Sequence, residues 1–114
     1  MLKYRNKITD CNQMHNHASK KEAKRCDELT ILERQGIIKD LKQQPRFNLL
    51  HDFLWQRKKV RGIDYIADFS YYDNEKKAFV IEDTKGKRTD VYIMKRKMLL
   101  NIMKTREDFL FIES

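Results

Sequence analysis

Two strand-like runs joined by a short polar turn constrain this chain more than any other feature. Ile63 to Tyr72 reads as one strand, Asp73-Asn74-Glu75 as a hairpin turn, and Lys77 to Thr84 as the returning strand. Each run carries an acid. Asp68 lies within Tyr65-Ile66-Ala67-Asp68-Phe69, and Asp83 closes the apolar part of Phe79-Val80-Ile81-Glu82-Asp83-Thr84-Lys85-Gly86. Asp83 and Lys85 stand two positions apart, so a strand places both on one face. Two carboxylates and an ammonium on adjacent strands suit a divalent cation with a water beside it. That arrangement points to hydrolysis of phosphate esters.

The rest of the chain supplies a frame for this hairpin. Residues 1–18 are polar and irregular and read as an N-terminal arm, leaving 19–114 as a single domain. Ser19 followed by Glu22 fits a capping box, and Gly36 offers a left-handed stop after Gln35, so a first helix is predicted between them. Ile37 to Leu41 reads as a strand closed by Gln44-Pro45, and Phe47 to Leu50 as another short strand. Residues 51–62 give no clear pattern; they hold Phe53, Leu54 and Trp55, then the basic run Arg57 to Arg61. Thr89 can cap a second helix reaching Lys104, with Val91, Met94, Met98 and Ile102 as its apolar stripe. Phe109 to Ile112 is a closing strand. The order is α-β-β-β-α-β, an α/β domain with a small mixed sheet flanked by helices.

Charge narrows the partner. The chain has 114 residues and a formal charge of +8, which favours a polyanion, nucleic acid before membrane. No apolar run is long enough for a membrane span and the N-terminus lacks a signal-peptide pattern, so a cytoplasmic protein is expected. Two cysteines in that setting are expected to be reduced thiols.

A D/E-x-K triplet alone carries little information, because this chain contains four. Glu22-Ala23-Lys24 falls on a predicted helix, where positions i and i+2 diverge, and Glu75-Lys76-Lys77 falls in a turn. Asp40-Leu41-Lys42 has no upstream strand to supply a partner acid. Asp83-Thr84-Lys85 alone ends an apolar strand beside another acid-bearing strand; a surface ion pair is the plainer alternative. Glu22 adds weight. With Glu22 at zero on a helical wheel, Cys26 falls near +40° and Leu29 near −20°, so the acid stands within the apolar stripe. Capping by Ser19 and Glu22 is a sufficient account of this residue, yet it does not require the apolar face. Ile31, near 180° on the same wheel, does not fit the stripe.

Glu22 on a first helix, Asp68 on a strand and Asp83-Thr84-Lys85 on the next resemble the PD-(D/E)XK nuclease superfamily. The stretches Ser19-Lys20-Lys21-Glu22-Ala23, Gln44-Pro45-Arg46-Phe47, Tyr65 to Phe69 and Glu82 to Gly86 look like small phage-borne members of it, some grouped with Holliday-junction resolvases. The likeness covers the chain from about Ser19 onward. Ala67 stands where the superfamily's name has proline. The resemblance implies a restriction-endonuclease-like core and a metal-dependent DNA endonuclease cutting branched phage DNA. In it Asp68 and Asp83, with Glu22, hold Mg²⁺ or Mn²⁺, and Lys85 orients the attacking water. A backbone carbonyl at Thr84 is a further ligand. A homodimer is expected for paired cuts, in the host cytoplasm.

Lys87, Arg88, Lys95 and Lys97 follow the site and are candidate contacts to DNA phosphates, with a solvated helix face as the plainer reading. Strand alternation points Glu82 away from Asp83. Cys11, His15, His17 and Cys26 have the ligand types of a structural zinc site, without zinc-finger spacing. Two other functions remain open. One is a non-catalytic nucleic-acid-binding module with the nuclease fold; the other is an interaction protein anchored by Phe53, Leu54 and Trp55.

Overall fold

The structure, a computed structural model, describes residues 20–84 and 88–114. The predicted N-terminal arm and its boundary at Ser19 lie outside the described residues. The first helix, α1, spans Lys20–Arg34. It ends as its glycine predicts: Gly36 adopts φ 80°, its N–H donates to the Glu33 carbonyl and the N–H of Ile37 to that of Leu32. This double bond pattern is a Schellman stop, and Ile37 and Leu32 pack against the same core cluster.

Eight strands follow among the described residues, in chain order β1 (Ile38–Gln43), β2 (Arg46–Leu50), β3 (Phe53–Trp55), β4 (Lys58–Val60), β5 (Ile63–Ile66), β6 (Phe69–Asp73), β7 (Ala78–Asp83) and β8 (Phe109–Glu113). A second helix, α2 (Asp90–Met103), joins β7 to β8. The main sheet has the order β1-β6-β7-β8. Its first three strands are antiparallel and β8 lies parallel to β7, which requires the α2 crossover. The β6–β7 turn is the predicted one, with Asp73 Oδ1 accepting from the backbone of Glu75 and Lys76.

Two clusters fill the two faces of this sheet. Cys26 and Leu29 of α1 pack on Ile38, Phe69, Tyr71 and Val80. Tyr92 and Leu99 of α2 pack on Tyr65, Ala67 and Ile81. Val80 and Ile81 are chain neighbours in opposite clusters, as strand alternation demands. Ile31, the misfit on the helical wheel, is 51% exposed.

Two expectations need correction. The stripe Val91, Met94, Met98, Ile102 is not the buried face of α2: Val91, Met94 and Ile102 are exposed, and Tyr92 and Leu99 are buried instead. The helix carries two apolar stripes, and the one with the larger aromatic faces the sheet. The run from Ile63 to Tyr72 is not one strand either. It breaks at Ala67-Asp68, where β5 leaves the main sheet. Opposite the break, Gln44 adopts φ 52° and Pro45 lacks an N–H, so the partner strand bends at the same level. Pairing continues across the bend, from Gln44 N–H to the Asp68 carbonyl and from Ala67 N–H to the Pro45 carbonyl.

Residues 46–66 therefore form an arm that prolongs the β1–β6 ribbon. β2 pairs with β5, and β3 with β4 at the tip. Gln56 and Arg57 link β3 to β4 with φ values of 52° and 67°, a two-residue turn of type I′. Phe47 and Leu49 pack the base of the arm against the α2 cluster. Among the described residues no helix is long and apolar enough to cross a membrane.

Candidate active site

The bend in the ribbon brings two predicted carboxylates together. Asp68 occupies the break between β5 and β6, and Asp83 the last position of β7. The Asp68 backbone N–H donates to Asp83 Oδ1 at 3.1 Å. In return, Asp68 Oδ2 accepts from the backbone N–H of Thr84 at 2.7 Å and from its hydroxyl at 2.8 Å. Asp83 is fully buried, and the Tyr65 hydroxyl donates to its Oδ2. Asp68 is half-buried. A carboxylate oxygen that already accepts one hydrogen bond retains a second lone pair. The donors here are all hard oxygens, which fits Mg²⁺ or Mn²⁺ better than a soft metal.

Glu22 is buried on α1, as the wheel requires. That helix covers the sheet face bearing Val80 and Glu82, whereas Asp83 belongs with Ile81 on the other face. Among the described residues no three His, Cys, Asp or Glu side chains form a group able to hold a metal ion. Lys85 and Lys87 lie outside the described residues, as do Cys11, His15 and His17. Of the zinc set only Cys26 is described, and it is fully buried in the α1 cluster.

Glu82 points away from Asp83, as predicted, and has a structural partner that the sequence reading missed. Arg25 Nε donates to Glu82 Oε1 at 2.6 Å and Nη2 to Oε2 at 2.8 Å. The Tyr71 hydroxyl donates to the same Oε2 at 2.8 Å. The Glu82 hydrogen bond holds the Arg25 guanidinium above its ordinary range despite burial. Burial, then the charge of Glu82, pushes the Tyr71 hydroxyl well above its usual value, so it stays a donor. Arg25 sits three positions after Glu22 on α1, one turn away. That spacing was the signal for a second polar contact between this helix and the sheet.

On the α2 face a parallel network stands behind Asp83. Tyr92 donates to Glu113 Oε2, and Arg96 Nη1 reaches both Glu113 oxygens at 2.7 and 2.8 Å. Burial first, then the Glu113 hydrogen bond and the charge of Asp83, raise the Tyr92 hydroxyl. Arg88, a predicted phosphate contact, approaches Glu113 at 3.4 Å but remains mostly in solvent. Lys97 is exposed. Lys95 lines a polar groove of about 800 Å³ between α2 and the arm, with Arg46, His51 and Arg61. One wall of it is acidic: Asp64 accepts from Asn48 and, to a lesser effect, from Arg46, and these bonds hold its carboxyl below the ordinary value.

The family model described as Protein of unknown function (DUF1064) matches residues 1–109. No curated protein matches the chain. No solved structure matches it.

Proposed function

The chain belongs to DUF1064, a family whose description states no activity, and we propose from its own residues that it is a metal-dependent DNA endonuclease acting on branched DNA. The observation that carries this reading is the coupling of Asp68 and Asp83 at the end of the central hairpin. Two hard carboxylates held side by side, one of them fully buried, are what a divalent-cation site needs from adjacent strands. The succession α1, β1, β6, β7, α2, β8, with the last strand parallel to β7, supports a restriction-endonuclease-like core. The arm 46–66 is then an insertion between the first two strands of that core.

In this reading Asp68 and Asp83 would hold Mg²⁺ or Mn²⁺, with the Thr84 carbonyl as a further oxygen donor and Glu22 completing the site through a water or a second metal. A bound divalent cation supplies Lewis-acid activation of water and offsets charge developing on the phosphate. Thr84 and Tyr65 fix the two carboxylates in orientation through their hydrogen bonds. Lys85, the residue after Thr84 in the sequence, orients the water and assists its deprotonation. The water oxygen forms a bond to phosphorus as the bond to the leaving oxygen breaks, and that oxygen takes up a proton. Lys95, with Arg46 and Arg61 of the groove, and the further basic residues Arg88, Lys87 and Lys97 bind backbone phosphates without reading sequence. A homodimer places two such sites for paired cuts.

The second reading, a nucleic-acid-binding module without chemistry, is favoured by one observation: Glu22 belongs to a helix on the face opposite Asp83. Incubation with a four-way junction and with linear duplex, in Mg²⁺, Mn²⁺ or EDTA, separates the two. Metal-dependent cleavage lost in both Asp83→Asn and Lys85→Ala supports the nuclease. Binding without cleavage in either metal supports the module. Cleavage that survives either substitution sinks the site assigned here.

A further inference from the structure

The arm ends in a surface that a solvated hairpin does not need. Phe53, Leu54 and Trp55 of β3 are 44%, 71% and 64% exposed. Register places Phe53 opposite Val60 and Trp55 opposite Lys58, while Leu54 faces Lys59 on the reverse side. Phe53 and Trp55 thus share one face of the ribbon with Lys58 between strands. Their backbone positions are about 7 Å apart, close to two base steps of roughly 3.4 Å each. Lys58 shares their face, Arg57 and Arg61 flank it in sequence, and the one acid from 51 to 61, Asp52, is paired with Lys59 at 3.5 Å.

The tip is also held rigidly. The type I′ turn at Gln56-Arg57 matches the strand twist. At its base the Gly62 N–H donates to Asp52 Oδ1 at 2.6 Å, and a Cβ at Gly62 would stand 2.0 Å from the Leu50 carbonyl oxygen. With the backbone of the tip fixed, only side-chain torsions remain to be ordered when a flat ligand stacks on the two rings.

We infer that the arm tip is a stacking platform for unpaired nucleotides, with Phe53 and Trp55 receiving bases while Lys58, Arg57 and Arg61 hold the phosphates. The charge decides the occupant: aromatic rings set among cations complement a strand that offers π-faces and phosphates together. Paired bases in a duplex hide their faces, so the platform selects branch points, gaps and single strands. The inference rests on nucleic acid as the substrate and adds to it a preference for unpaired DNA that the carboxylate site does not supply. It does not depend on cleavage.

Trp55 is the sole tryptophan, so its fluorescence reports the platform directly. The full chain in EDTA is titrated with a twelve-residue oligo(dT), a blunt duplex of the same length and a four-way junction. The oligo(dT) and the junction are expected to quench Trp55, and the duplex to leave it nearly unchanged. Trp55→Leu is expected to weaken oligo(dT) binding by roughly 5- to 100-fold, read by anisotropy of labelled DNA, with duplex binding within about twofold. Equal quenching by duplex, or oligo(dT) affinity unchanged in Trp55→Leu, overturns the inference. A fall from dimer to monomer mass in that variant with DNA affinity unchanged overturns it in favour of a second copy of the chain. Failure of quenching with metal-dependent cleavage intact removes the platform alone. Quenching without cleavage in any metal removes the nuclease reading and leaves the platform.

Discussion

Asp68 and Asp83 are locked by each other's strands. The backbone N–H of Asp68 holds an oxygen of Asp83, and Thr84, next to Asp83, holds an oxygen of Asp68 through both its N–H and its hydroxyl. Neither carboxylate can turn without disturbing the other strand. Their relative geometry is thus a property of the β6–β7 pairing and of the bend that precedes it.

Tyr65 is the testable support of this pair. Tyr65→Phe removes the hydroxyl that donates to buried Asp83 Oδ2 and keeps the ring in the core. Loss of that donor is expected to cost about 1–3 kcal/mol in urea denaturation, with an unchanged m-value. At the Mg²⁺ site proposed above, affinity measured by calorimetry is expected to fall by roughly 10- to 100-fold, as for other residues that orient a ligand. Unaltered affinity in a stable variant would show that Tyr65 serves packing alone.

Arg25 and Glu82 pin α1 to the sheet independently of that chemistry. Arg25→Met leaves the Glu82 charge, almost fully buried, with Tyr71 as its neighbouring donor. A loss of about 3 kcal/mol is expected. Arg25→Met combined with Glu82→Leu is expected to recover most of it, since no buried charge then remains. A double variant as unstable as the single one would mean that Arg25 acts through something other than Glu82.

Glu113 makes stability depend on pH in a defined sense. The hydrogen bond from Tyr92, then the charges of Arg96 and Arg88, hold its carboxyl below the ordinary value. A lowered folded-state pKa gives stability that is present above the unfolded value of about 4.3 and is lost as pH falls through the folded value. Glu113→Gln is therefore expected to lower Tm at pH 7, and the difference from the parent should shrink below about pH 4. Melting curves recorded from pH 7 to 3 provide the check; a constant difference would rule out the linkage.

Gly62 tests how the arm is built. A methyl group there meets the Leu50 carbonyl oxygen and crowds the Asp52 amide, so Gly62→Ala forces the base of the tip hairpin apart. The expected cost is on the order of 1–3 kcal/mol. Hydrogen exchange should accelerate at Phe53–Val60 while Val80 and Ile81 stay protected. Uniform acceleration over the sheet would show that arm and sheet unfold together.

Where local chemistry was explicit, the sequence disclosed the fold. Gly36 after Gln35, the Asp73 turn and the Thr89 cap each satisfy named backbone groups, and each is found in place. The bend at Asp68 was not legible, because its cause is across the ribbon at Gln44-Pro45 rather than in the bent strand. The tip turn was hidden because Gln56 and Arg57 take left-handed positions usually held by Asn-Gly. On α2 two apolar stripes compete, and choosing between them requires knowing that Tyr92 reaches Glu113. The adjoining acids Asp68 and Asp83 could be paired from strand order alone. Tyr65 could not be assigned to them, because its reach depends on where β5 bends away.

The continuity of the ribbon through the bend has a geometric consequence. The strand that carries Trp55 outward returns through Ile66 and Ala67 into Asp68, so arm length fixes how far the tip stands from the carboxylates. The arm is a ruler. Inserting two cross-strand residue pairs between β2 and β5 would move the tip outward by roughly 7 Å and leave Asp68 and Asp83 where they are.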